Sequence, residues 1–242
     1  MGKSEGQMNA PKGTLRRILK PPPSVLNVAA RRNYRHLREL LMAGRSTPPK
    51  VLLVGGGDRK GVGTEEIGGD VLGAAVNLEL QSGKGVDVRG DGHFLPFAGG
   101  RFDAVVAQAV LEHVADPQIV LDEVHRVLRG GGYIYVEVPF LQCYHPAPTD
   151  FQRYTLDGLH RLLSSFRMLD SGVCVGPGSM MSDMTKYFLA LILSGGNDRL
   201  FQLLFRGLGW LTFPLKYLDL ILSGNENARY MASGFYYLGM KA

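Results

Sequence analysis

The most restrictive feature of this sequence is the run Val51-Leu52-Leu53-Val54, which passes directly into Gly55-Gly56-Gly57. Four consecutive apolar residues leave no polar face, so the segment reads as a strand buried on both sides, as in a parallel sheet. The three glycines that follow allow a turn of any torsion and bring bare backbone to the strand end, where a ligand can lie against it.

What surrounds this strand repeats the pattern. Ala74–Leu80, Val86–Val88, Phe102–Ala107 and Tyr133–Val138 are further strand candidates, the last following the turn Gly130-Gly131-Gly132. Two more are expected near 168–174 and 233–240. Residues 116–129 spell a helix: Asp116 caps it, Pro117 takes the first turn, Gly130 stops it, and Ile119, Val120, Val124, Val127 and Leu128 share a face. Thr155–Phe166 reads as a second capped helix, and residues 24–43 as a third, with Ser24 as its cap. Alternation of short apolar strands with helices implies a doubly wound, mostly parallel α/β sheet.

Charge divides the chain at about residue 50. The net charge is +5, but residues 1–50 hold eleven Lys and Arg against Glu5 and Glu39. Residues 1–49 are therefore expected to be a basic arm and helix, and 50–242 the main domain. Such an arm suits an anionic partner, or is a tail with a helix that packs on the body. Nucleic acid is not expected, because no aromatic residues are interleaved as stacking platforms. Cys143 and Cys174 make neither a disulfide framework nor a zinc cluster, which favours a reducing, cytoplasmic setting. No secretory signal is legible in the first residues.

One stretch departs from the pattern. Residues 177–228 form an apolar helical insertion before the last strand, including YFLALIL at 187–193 and a second apolar run at 200–222 around Trp210. Residues 187–222 suit a peripheral helix pair at a membrane surface. A lid or a homodimer interface would bury the same residues.

In an open parallel sheet ligands bind beyond the carboxyl ends of the strands. That edge gathers Gly55, Gly56 and Gly57, then Glu79 and Leu80, then Asp91, Gly92 and His93, and finally Gln108. Glu79 stands where a carboxylate can accept from two ribose hydroxyls, and Asp91 where one can accept from an adenine amine with Phe94 or Leu95 over the ring. A dinucleotide fingerprint would require a third glycine at position 60, which is Lys60, so a phosphate-free adenosyl ligand fits better than NAD.

In order, the segments VLLVGGG, DGHFLPF, FDAVV, LEHV, DP and RVLRGGG resemble a class I S-adenosylmethionine-dependent methyltransferase of the type 11 group, over about residues 51–175. The resemblance implies a Rossmann-like methyltransferase fold of seven strands, the last antiparallel and inserted beside the sixth. It implies S-adenosylmethionine as cofactor. It also implies methyl transfer to a small-molecule, glycan or lipid-linked acceptor, most simply at oxygen. The family's acid in the first strand is replaced by Leu53. For an oxygen acceptor His145 is the first candidate base, with Asp150, Arg153 and Tyr154 orienting it or gripping substrate. No metal is expected: His36, His125 and His160 lack ligand spacing, and His113 reads as a packing residue. Two other functions fit the same residues, a catalytically inactive binding or assembly module and an enzyme dependent on NAD or a nucleotide sugar.

Overall fold

The computed structural model describes residues 21–57 and 61–242. Lys60 and the first twenty residues, with five of the eleven basic side chains, lie outside them. Seven strands form one sheet: β1 Val51–Val54, β2 Val76–Glu79, β3 Val88–Arg89, β4 Phe102–Gln108, β5 Leu128–Pro139, β6 Arg167–Val175 and β7 Gly234–Met240. Their order is β3-β2-β1-β4-β5-β7-β6. The first five run parallel, and β7 lies antiparallel between β5 and β6.

The apolar first strand is covered as its composition demands. Leu52 and Val54 enter one core with Val105, Ile134 and Val136, closed by the helices α3 Pro117–Val127 and α4 Leu156–Leu162. Val51 and Leu53 enter the other with Val106 and Tyr135, closed by α1 Ala30–Met42 and α2 Gly69–Ala74. Helix α1 is thus a wall of the sheet, with Tyr34, Leu37 and Leu41 fully buried. Its arginines meet acids of the body: Arg31 with Glu65, Arg32 with Asp170, Arg35 with Glu66 and Arg38 with Asp70, and beyond its end Arg45 with Asp103.

Element ends shift for local reasons. Helix α1 starts at Ala30 because Asn27 Oδ1 accepts the N–H groups of Ala29 and Ala30, at 3.2 and 2.8 Å. Ser24 is no cap; its hydroxyl donates to Asp183 at 2.7 Å. Asp116 caps α3 as expected, accepting from Gln118 and Ile119. That helix ends at Val127, since Leu128 already pairs with Phe102 in the sheet. Gly130-Gly131-Gly132 therefore lies inside β5, where Gly131 (φ +72°) bonds to Lys241. Ile119 faces solvent and Leu121 takes its place in the core. Helix α4 closes at Leu162, short of Phe166.

The insertion folds as α5 Pro177–Ser194, α6 Asp198–Thr212, a 3₁₀ segment Phe213–Leu218 and α7 Asp219–Leu222. Asp219, buried, accepts the N–H groups of Gly178 and Ser179 at 2.6 and 3.0 Å and so caps α5 from the far end of the insertion. Its outer face is apolar: Leu211, Leu220 and Ile221 are 73%, 70% and 79% exposed. No helix among the described residues is long and apolar enough to cross a membrane.

Candidate active site

Three hollows open beyond the carboxyl ends of β1, β2, β4 and β5. One, of about 280 Å³, is bounded by Tyr34, Leu53, the glycine turn, Thr64 and Gln108. A second, of about 340 Å³, shares Val54 and Gly55 with it and is bounded by Leu78, Glu79, Leu80, Asp91 and Val110. A third, of about 330 Å³, meets the second at Ala109 and is walled by Gln108, Glu112, Glu137 and Gln142. Ala109 carries φ +55°, a conformation that alanine rarely adopts, at the corner where the second and third hollows join.

The glycine turn is needed for packing before it is needed for a ligand. A Cβ on Gly55 (φ +66°) would stand 2.5 Å from Val110, and one on Gly56 would stand 2.5 Å from Asn77 Oδ1. Among the described residues, nothing lies within 4 Å of a Cβ on Gly57 (φ +54°). Its N–H donates to Glu79 Oε1 at 2.6 Å, which ties the turn after β1 to the end of β2.

Glu79, Leu80, Asp91 and Gly92 share the wall of the second hollow, as the sequence placed them. His93 does not reach it; its N–H and ring Nδ1 both bind Asp91 Oδ1, at 2.9 and 2.6 Å. Those contacts, the backbone N–H first, hold the Asp91 carboxyl below its ordinary range against the effect of burial. Phe94 points to solvent and Leu95 into the core, so neither covers a ring there. The apolar surface comes from Leu78, Leu80, Val110 and Val114. Gln108 belongs to the other two hollows, accepting weakly from Tyr34 and donating to Glu137 Oε2 at 2.7 Å.

The expected catalytic group is drawn together, but much of it is occupied. Arg153 grips Asp150 through both terminal nitrogens and donates to the carbonyls of Gln142 and Cys143. The Arg153 guanidinium beside it holds the Asp150 carboxyl far below the usual range. Asp150 also accepts the His145 N–H at 2.9 Å, so the pair fixes the 142–145 loop. Tyr154 is buried and donates to the Leu111 carbonyl at 2.8 Å. Its hydroxyl is thus engaged by the backbone of the Leu111–His113 turn.

Two carboxylates escaped sequence reasoning. Glu137, nearly buried in β5, accepts from Tyr135 (2.5 Å), Gln108 (2.7 Å) and Asn27 (2.7 Å). Glu112, in a 3₁₀ turn Leu111–His113, is fully buried, and neither of its oxygens has a hydrogen-bond partner among the described residues. Burial raises its pKa, opposed by its own backbone N–H, His113, His145 and Arg153. The two histidines face it, with His113 Nε2 at 3.9 Å and His145 Nε2 at 3.8 Å from Oε1. A sequence signal did exist for each, an acid inside LEHV and one on the Tyr133–Tyr135 face of an apolar strand.

Residues 59–136 match the family model of a methyltransferase domain. The matched third of the chain is similar to a methyltransferase domain, on a sheet with the Rossmann-like methyltransferase fold. Solved structures agree in fold. A Burkholderia thailandensis 1,6-didemethyltoxoflavin-N1-methyltransferase with bound S-adenosylhomocysteine is 15% identical at a TM-score of 0.50, covering 88% of this chain and 79% of that one. A Haemonchus contortus phosphoethanolamine N-methyltransferase 2 with S-adenosyl-L-methionine is 11% identical at a TM-score of 0.51, covering 87% and 52%. The cyclase SpnF is 16% identical at 0.52, covering 86% and 80%. No curated protein sequence matches the chain.

The cofactor of a methyltransferase domain is S-adenosylmethionine, and the cleft fits such a molecule. The second hollow offers a carboxylate tied to the glycine turn, a second acid and an apolar wall, which suit ribose, adenine amine and adenine ring in turn. The first hollow continues around Gly55 toward Tyr34, Thr64 and Gln108, room for the amino-acid end. Leu53, 3% exposed, brings no carboxylate there, so polar contact must come from these three neighbours.

Proposed function

We propose that the chain transfers a methyl group from S-adenosylmethionine to a hydroxyl oxygen of a glycan or lipid-linked acceptor seated in the third hollow. The junction at Ala109 carries this reading. It brings a hollow suited to a nucleoside against one walled by two carboxylates and two amides. Glu112's two unpartnered oxygens favour an acceptor whose reacting group donates a hydrogen bond, as a hydroxyl does.

The cofactor supplies an electrophilic methyl group on a sulfonium. The protein's part is to place the acceptor oxygen in line with the methyl carbon and to keep water out, a positioning effect worth about 7–11 kcal/mol in favourable cases. The new O–C bond forms as the S–C bond breaks, and the electron pair stays on sulfur. The acceptor's proton passes to the Glu112 carboxylate, whose oxygens carry no hydrogen bond from the described residues. Glu79 and Asp91 hold the nucleoside, while Asp150 and Arg153 hold the loop that shapes the acceptor side.

The outer face of the insertion supports an acceptor met at an anionic lipid surface. Pro21, where the described chain begins, packs against Gly209 on the buried face of α6. Residues 1–20 carry five Lys and Arg against one Glu. Basic charge together with exposed apolar side chains suits anionic headgroups over acyl chains.

Incubation with methyl-tritiated cofactor and either lipid-linked or water-soluble hydroxylated acceptors tests the reaction. Label in an organic-extractable product is expected. Absence of nucleoside binding in calorimetry would instead identify an inactive module. Co-sedimentation with phosphatidylglycerol vesicles tests the surface; a dimer in solution with no vesicle binding would assign the apolar face to a second copy.

A further inference from the structure

We propose that Glu112, His113 and His145 form a binding site for a divalent transition-type cation such as zinc. Three ligand atoms, one carboxylate oxygen and one nitrogen of each ring, lie within 4.8 Å of one another. The carboxylate is fully buried, and both its oxygens lack a hydrogen-bond partner among the described residues. A buried carboxylate without a partner is costly unless something cationic completes it.

The two rings are set up as metal ligands usually are. His113 Nδ1 lies 2.5 Å from the Thr149 carbonyl oxygen, so it carries the proton and donates. His145 Nδ1 lies 2.9 Å from the Cys143 carbonyl oxygen, closer than the 3.3 Å to Arg153, and donates in the same way. Each Nε2 is then a bare lone pair, and both face Glu112 at distances too long for a hydrogen bond. Second partners that fix the ring orientation through the other nitrogen are the ordinary support of such ligands. The loop holding His145 is itself pinned by the Asp150–Arg153 pair.

Two imidazoles and one carboxylate favour zinc, manganese, cobalt or iron(II) over magnesium and calcium, which prefer oxygen ligands throughout. Three protein ligands leave at least one position open. Glu112 walls the third hollow and His113 the second, so that position adjoins the junction at Ala109. A hydroxylated acceptor could take it through oxygen. The cation site rests on the side-chain geometry alone; when it is filled, Glu112 is a ligand and no longer the group that takes the acceptor's proton.

The test is metal binding by the untagged full chain, followed by calorimetry with zinc chloride and by visible absorption with cobalt chloride. One equivalent of either metal is expected, with cobalt giving the intense visible bands of a low-symmetry site. His145→Ala and His113→Ala should each weaken zinc binding tenfold or more and abolish the cobalt bands, whereas His36→Ala should change neither. Glu112→Gln, checked for folding by circular dichroism, should do as the histidine variants do. Substoichiometric binding by the parent chain, or binding unaltered in His145→Ala, would overturn the proposal. Nucleoside binding measured on the same samples reports the methyltransferase reading separately.

Discussion

The N–H of Gly57 donates to Glu79 Oε1 at 2.6 Å, so the turn after the first strand and the end of the second are one unit. A charge-assisted bond of this kind contributes about 1.5–3 kcal/mol, and it also aims the carboxylate at the nucleoside hollow. Glu79→Ala is expected to weaken S-adenosylhomocysteine at least tenfold in calorimetry. Glu79→Gln should recover part of that affinity. Unaltered affinity in Glu79→Ala would remove the assigned ribose contact.

Gly56 and Gly57 are adjacent but answer differently to a methyl group. At Gly56 a Cβ would press on Asn77 Oδ1 and on Leu53 Cβ, 2.9 Å away. Overpacking of this kind costs about 1–3 kcal/mol, so Gly56→Ala should lower the midpoint of urea unfolding clearly. Gly57→Ala meets no atom of the described residues and bears its positive φ, a cost of about 1 kcal/mol. Equal losses in the two variants would contradict the packing described.

Asp103 gives the fold an acid-sensitive tie. Burial works to raise its pKa, but Arg45, the Lys50 N–H and Arg129 outweigh it, and the net shift is downward. A carboxyl with a folded-state pKa below its unfolded one stabilises above the unfolded value, and loses that contribution as pH falls through the folded value. Stability of the parent chain should therefore decline below about pH 4, the ordinary carboxylate range, and Asp103→Asn should flatten part of that decline. Urea titrations from pH 2 to 7 measure both.

Asp219→Ala removes the acceptor that satisfies the first N–H groups of α5. Loss of a cap costs about 0.5–2 kcal/mol, and here it should loosen α5 against the 3₁₀ segment while the sheet stays intact. Hydrogen exchange at Gly178 and Ser179 should accelerate with little effect at Val105 or Val136. Asp219→Asn retains an acceptor and should lie between.

The fold was legible where a determinant is local. VLLV has no polar face, Asp116 with Pro117 caps its own helix, and Glu79 ends a strand beside a glycine turn. Element ends were less so: Leu128 reads as helix until its partner Phe102 is known, and Ser24 reads as a cap until Asp183 claims it. The acceptor side was least legible. Glu112 and His145 lie far apart in the chain and meet only because Arg153 and Asp150 fold the loop back. Glu137 looks like an exposed strand acid until Asn27, ahead of α1, covers it.

Val175 ends β6 opposite Gly234, which begins β7, so the residues where the insertion leaves the sheet and returns to it are registered partners. Topologically the whole helical insertion is an enlarged hairpin connection. Such a loop can grow, shrink or change its amino-acid content at little entropic cost to the strands that close it. The helical insertion can therefore diverge at its own pace, leaving the carboxyl ends of β1 and β2 untouched.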